Sequence, residues 1–437
     1  MKQWCKLWSA MALVCITPLA GYTQETTLSI EDLFLQVEKA NSEVQLARKD
    51  VAISTVRQQA EKDGRLPDIG VALEGDYLGN TYVLDRDFSN ATLSPMTHWG
   101  NSFGITVYQP LYTGGAVTAK INRAGAQTDL AANNVTLVED QMKMLILQCY
   151  LELFKHRNLL SVYDENIRIT GDLIDEMKAR ANQGLVLAND VTRYDLNLSN
   201  LNYDRLTVAN TIKNLNYTLT SYLHLSEDET IVPTIDFDRI NFSAAPLSEW
   251  SRLSRIESPS LRKYELQQAE NAANERIIKS EALPKIGLNA GASVAAPITT
   301  HTPVLDKNLG RWYVGFSVSF NPSAFYKTKH KLQATRMETE RLRDARVTQE
   351  EAIDRNLDRA YKSYVEAVEH VATQEKNVEL ASENYRIVAH RYNNDLSLLT
   401  DMLDASASKL DAETRLVNAR VDVLYYYFQL KYLSGTI

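Results

Sequence analysis

Apolar positions along the chain change period in a fixed order, and the order occurs twice. Residues 30–63 carry apolar side chains at helical spacing and end at Gly64 and Pro67, residue types that stop a helix. Ile69, Val71 and Leu73 then alternate with Asp68, Gly70, Ala72 and Glu74, and Phe103, Ile105 and Val107 alternate with Gly104, Thr106 and Tyr108. A period of two predicts strands, at about 68–78 and 101–112. From 116 to 182 there is no proline, and apolar residues recur every seven at Ile146, Leu153, Leu160, Ile167 and Ile174. A returning helix follows, with Val191, Tyr194, Leu198, Leu201, Val208, Ile212, Leu215, Leu219 and Tyr222 spaced as a coiled-coil seam.

The second half repeats this program. Ile286, Leu288 and Ala290, then Trp312, Val314, Phe316, Val318 and Phe320, predict strands at about 284–296 and 311–321. Leu357, Tyr361, Tyr364, Val368 and Val371 mark one long helix, and Leu396, Leu403, Leu410, Val417 and Leu424 its return. Cys149-Tyr150-Leu151-Glu152-Leu153 falls on Ala360-Tyr361-Lys362-Ser363-Tyr364 at a shift of 211, and the same shift places Arg180 to Leu185 on Arg391 to Leu396 and Asp190 on Asp401. Such self-similarity defines two copies of one unit. The first copy is read as 24–225 and the second as 247–437, joined by a non-periodic linker at 226–246. Each copy is a strand pair plus a helical hairpin, the hairpins turning near 184–190 and 392–401.

Composition sharpens the reading in three places. Gly 17 and Pro 11 in 437 residues are few, which suits helices that reach roughly 100 Å at 1.5 Å per residue. Lys2 and Lys6 precede an apolar stretch, 7–16, followed by Ala20 and Gly21; residues 1–23 read as a secretory signal peptide. Cys5 and Cys15 fall inside it, and Ala12-Leu13-Val14 lacks the small residue expected directly ahead of a lipidated cysteine, so the exported chain keeps Cys149 as a small core residue. No later run of about 18 apolar residues exists, so any crossing of a membrane would use strands. Strands of about ten residues are long enough when tilted, and the polar segments 79–100 and 297–310 between them would be the external loops.

The net charge of −8 gives no global attraction to nucleic acid. The seven histidines show no i, i+3 or i, i+4 pair, and no phosphate-cradling glycine loop or nucleophile elbow is present. No enzyme, cofactor or metal site is therefore expected. Four strands cannot close a barrel in lipid without leaving backbone groups unpaired, whereas three copies would give twelve strands and a lumen.

At this point the chain resembles the TolC-like outer-membrane efflux proteins. The resemblance rests on the duplicated element order and on two hairpin-tip motifs, Gly184-Leu185-Val186-Leu187-Ala188-Asn189-Asp190-Val191 and Tyr392-Asn393-Asn394-Asp395-Leu396-Ser397-Leu398-Leu399-Thr400-Asp401-Met402-Leu403-Asp404-Ala405. It implies a mainly α fold with a small β part: long coiled-coil hairpins and four strands per chain, contributing to a trimeric 12-stranded outer-membrane β-barrel and an α-barrel tunnel. It implies a homotrimer in the outer membrane that extends into the periplasm, in contact with outer-membrane lipid, a periplasmic adaptor and an inner-membrane transporter, and serving efflux or type I secretion. The family's constriction matches Asp401 and Asp404, its gate latch Tyr392 and Asp190, and its adaptor-docking turns Gly184, Leu185, Asp395 and Leu396. Ser397 stands where the family has an arginine and Asp395 where it has a glycine, so closure would rely on a different bond or the resting state would be looser. Crowding the acids of the constriction would raise some of their pKa values. The alternative is a periplasmic coiled-coil adaptor or structural protein, although adaptors carry one hairpin rather than two copies with strands at their open ends.

Overall fold

The computed structural model describes residues 25–185, 187–235, 245–301, 303–394 and 396–437; the expected signal peptide, the middle of the linker and Asp395 lie outside the described residues. In chain order the elements are β1 (Glu25–Leu28), α1 (Ile30–Ala40), α2 (Ser42–Asp63), β2 (Asp68–Tyr77), β3 (Thr81–Val83), β4 (Thr92–Ser94), β5 (Trp99–Tyr112), α3 (Ala116–Asn182), α4 (Ala188–Leu223) and β6 (Thr230–Pro233). They continue as α5 (Leu247–Glu257), α6 (Pro259–Ser280), β7 (Lys285–Ala296), β8 (Leu309–Ser319), α7 (Ala324–Lys327), α8 (Lys329–Asn393) and α9 (Leu399–Ser434). Two compact units result, one of residues up to Leu35 with Ile146–Arg239, the other of Gln36–Leu145 with Ile240–Ile437.

In the first unit β1 and β6 pair in parallel, Glu25 with Thr230 through Leu28 with Pro233. The Tyr150 hydroxyl joins their ends, donating to the Leu28 carbonyl at 2.6 Å and accepting from the Thr234 N–H at 3.1 Å. Burial pushes this phenol above its ordinary range. The stretch read from sequence as a non-periodic linker contains a strand, whose inward residues Ile231 and Pro233 are too few to register as a period. Along the hairpin, Ile146, Leu153, Ile174 and Met177 of α3 and Tyr194, Leu201 and Leu219 of α4 are buried. Midway the seam is polar. Asn166 and Thr170 are buried, while Leu160 and Ile167 of the seven-residue row are only half-covered. Arg205 pairs with Asp164, and Lys178 with Asp195 at 3.5 Å, across the hairpin.

The single helix expected over 30–63 is two, broken at Asn41. That residue is buried in an extended conformation (φ −60°, ψ 130°), and its side-chain oxygen accepts from the Glu43 and Val44 N–H groups, which caps α2. The second copy breaks at the equivalent place by other means: Pro259 opens α6 and holds Ser258 extended at ψ 115°. Both breaks leave helices of 11 and 22 residues. α8 and α9 form the second hairpin, with Trp250, Leu261, Leu357, Tyr364, Val423 and Leu430 in a core at one end.

Leu357 and Tyr364 on α8 and Leu424 on α9 are buried as the sequence reading expects, but the middle of the α9 row differs from it. Ala405, Ala412 and Ala419 form the buried row there, with Ala360 and Ala367 also buried on α8, whereas Leu403, Leu410 and Val417 are half-exposed. Small residues admit the partner helix closely and leave the larger row on the flank. The four long strands form one sheet in the order β2-β5-β7-β8, antiparallel throughout. β3 and β4 make a short hairpin inside the polar segment 79–100 expected to be an external loop.

Candidate functional site

Strand register determines what each face of the sheet presents. Val71 lies opposite Ile105, Ile105 opposite Ala292 and Ala292 opposite Trp312; the next rows are Ile69, Val107, Ala290, Val314 and Leu73, Phe103, Val294. Apolar side chains therefore share one face from edge to edge. They are bare: Leu73 is 80 % exposed, Trp312 79 % and Phe316 78 %. Isolated apolar residues on a surface are ordinary, but a contiguous sheet face of this kind marks an interface or lipid. The opposite face carries Asp68, Tyr108, Asn289 and, further along, Glu74, Ser102, Ser293 and Arg311. Two glycines let tyrosine rings lie flat there, since a Cβ at Gly287 would come within 2.3 Å of the Tyr108 ring and one at Gly291 within 2.7 Å of the Tyr313 ring.

All four strands join their helices at the same end of the sheet, because α2 and α6 lead into β2 and β7 while β5 and β8 lead out to α3 and α7. The loop end carries an aromatic cluster: Tyr77 stacks on His98 at 5.5 Å and meets Trp99 edge-on at 5.6 Å. At the helix end Phe320 meets Phe325 at 6.0 Å. Aromatic rings at both ends of an apolar band are the arrangement of membrane-crossing strands. Among the described residues no helix is long and apolar enough to cross a membrane.

The hairpin tips are built by backbone capping. Gly184, at φ +76°, ends α3: its N–H reaches the Ala181 carbonyl at 2.9 Å, and the Leu185 N–H reaches the Arg180 carbonyl at 3.0 Å. This is a Schellman arrangement, and its left-handed residue suits glycine. The second tip has the matching bond from the Leu396 N–H to the Arg391 carbonyl at 2.9 Å, and the Arg391 guanidinium donates to the Leu396 carbonyl at 3.1 Å. Leu185 and Leu187 are 62 % and 71 % exposed, and Leu396 and Leu398 66 % and 70 %. Sequence reasoning named Leu185 and Leu396 and missed Leu187 and Leu398, although the same shift of 211 relates both pairs.

Asp401 and Asp404 are exposed, one turn apart at the start of α9, and turned away from buried Met402 and Ala405. Asp401 is engaged within its own chain: its Oδ2 accepts from the Leu398 N–H at 3.0 Å and from the Ser397 hydroxyl at 2.9 Å. These bonds hold its carboxyl below the ordinary range, the reverse within the chain of the rise that crowding predicts. Ser397, which replaces the arginine anticipated there, thus acts as a second donor to the helix cap. Asp190 stands in the first turn of α4, in the first unit, with its side chain half-buried; Tyr392, in the second unit, is 8 % exposed near the end of α8. Cys149 is half-buried, and burial pushes its thiol up. Among the described residues no group of three or more His, Cys, Asp or Glu is placed to hold a metal ion.

With this geometry in hand, residues 250–436 match the model of the family described as outer membrane efflux protein. The matched residues lie within the second repeat. A protein of Haemophilus influenzae described as uncharacterized is 22 % identical over 365 residues, which cover 82 % of this chain and 77 % of that one. Among solved structures, the outer membrane protein VceC of Vibrio cholerae superimposes with a TM-score of 0.70 at 15 % identity, over 93 % of this chain and 96 % of its own. The open state of the MtrE outer membrane channel of Neisseria gonorrhoeae gives 0.71 at 15 %, over 93 % and 89 %. The chain has the fold of outer-membrane channels.

Proposed function

We propose that the chain is one third of an exit duct that carries substrates across the outer membrane from a tripartite efflux pump or type I secretion system. One observation carries the reading: an all-antiparallel, four-stranded sheet with a bare apolar face and two open edges, β2 and β8. Open edges are untenable in lipid. β2 and β8 run in opposite directions, so β8 of one copy lies antiparallel to β2 of the next and the alternation continues around a ring. Three copies give twelve strands, with the apolar face outward and the polar face lining the lumen.

The helices support the same closure. α4 leaves Leu196, Tyr203 and Tyr217 exposed on one heptad row, 64 %, 70 % and 59 %, and α9 leaves Leu403, Leu410 and Val417 half-covered. In a ring each helix has two neighbours, and these rows serve the second. The duct so formed reaches into the periplasm, its tips meeting a periplasmic adaptor and an inner-membrane transporter through Gly184, Leu185, Asp395 and Leu396. Asp401 and Asp404, repeated three times, would ring the constriction, favouring cations and disfavouring anions. Tyr392 with Asp190 would act as the latch. The role is conduction rather than catalysis. Fractionation of native cells tests the reading: a trimer band in outer-membrane extracts that collapses to monomer on heating is expected, and recovery in the soluble periplasmic fraction would overturn it.

A further inference from the structure

We propose that the helix-end rim of the sheet, residues 320–331, binds the headgroups of anionic phospholipids in the periplasmic leaflet; the inference rests on the outer-membrane reading above. Trp312, Val314, Phe316 and Val318 follow one another on the apolar face of β8, and Phe320 comes directly after the strand. Phe320 then meets Phe325 with ring planes at 70°, so the apolar face continues past the strand into α7. Only one side of that turn is anchored. Ala324 and Thr328 are 4 % exposed, and the Thr328 hydroxyl donates to the Ala324 carbonyl at 2.7 Å. Phe325 and Tyr326, 64 % and 68 % exposed, and Lys327, Lys329, His330 and Lys331 are turned outward.

Charge completes the surface. In a chain of net charge −8, no Asp or Glu occurs from Lys307 to Met337, and three lysines fall within 327–331. Lys331 pairs with Glu281 at 3.0 Å, whereas Lys327 and Lys329 make no ion pair among the described residues. Exposed rings at the edge of an apolar band sit at headgroup depth, and ammonium groups beside them attract anionic lipid within a Debye length of the surface. The twelve residues that follow β5, 113–124, have no ring and a single lysine, Lys120. Each chain therefore contributes one such surface, three around the ring.

Native mass spectrometry of the full-length trimer with equal phosphatidylglycerol and phosphatidylcholine tests this. Wild type should retain phosphatidylglycerol preferentially. Lys327→Gln/Lys329→Gln should reduce that preference by about fivefold per lysine, Lys327→Arg/Lys329→Arg should keep it, and conductance in neutral phosphatidylcholine bilayers should be the same for all three. Absence of preference in wild type, or its survival in the Gln variant, would overturn the proposal. So would equal competition by soluble glycerol phosphate, which would indicate a phosphate site without a bilayer. A wild-type chain that neither forms trimers nor conducts in phosphatidylcholine would instead overturn the duct reading.

Discussion

At the scale of single residues, the tip acids illustrate what a sequence conceals. The i, i+3 spacing of Asp401 and Asp404 was visible, but their different employment was not, because it depends on Ser397 and a backbone N–H turning toward one of them. Asp401 has a depressed folded pKa, so its contribution is present above about 3.8, its ordinary value, and is lost as pH falls through the lower folded value. Asp401→Ala should therefore lower the hydrogen-exchange protection of the first turn of α9 at pH 7, while Asp404→Ala should leave it near wild type. If the pair rings a constriction, the double alanine variant should lose divalent-cation block in planar bilayers. Asp140 on α3 behaves oppositely. It is 7 % exposed, and burial raises its pKa to about 6, opposed by Lys143, which itself pairs with Glu38 at 2.8 Å. A raised carboxyl favours the fold at low pH and costs stability as pH climbs toward and past the folded value. Asp140→Asn should melt with wild type near pH 4 and grow relatively more stable up to about pH 6, by at most roughly 3 kcal/mol. Thermal unfolding across that range checks it, and a constant difference would contradict the assignment.

Between residues and the whole lie the elements, where period was legible throughout and phase only in part. The heptad spacing of α8 and α9 was readable, yet the large Leu403-Leu410-Val417 row drew attention away from Ala405-Ala412-Ala419, which is the buried one. Alanines contribute little to a hydrophobic pattern but allow the closest approach of two helices. The break at Asn41 was missed for a related reason: a single buried polar cap interrupts a helix without proline or glycine. β1 and β6, of four residues each, are too short to display a period. The tips carry their own prediction. Leu185, Leu187, Leu396 and Leu398 are exposed where helices end, so replacing all four by serine should leave trimer yield intact and abolish resistance to pump substrates. Gly184→Val should be worse for the tip itself, since a β-branched residue at φ +76° costs roughly 1–2 kcal/mol. Faster proteolysis near Arg180 in that variant is the measurement.

On the scale of the whole molecule, duplication and the four alternating strands made the architecture legible, because period two with apolar residues on one side survives translation into a sheet register. What sequence cannot carry is the occupant of each surface the chain leaves bare. In the proposed duct, the apolar sheet face, the outer heptad rows and the strand edges would be completed by lipid and by other copies. The central claim is that β8 of one copy pairs with β2 of the next and that three copies close the ring. Cysteine pairs scanned along β2 and β8, oxidised in intact cells expressing the full chain, test it directly. Closure predicts an intermolecular ladder that ends at trimer, with a β2–β5 pair giving only intramolecular bonds. A ladder that continues past trimer, or cross-links confined to single chains at every β2–β8 pair, would contradict it.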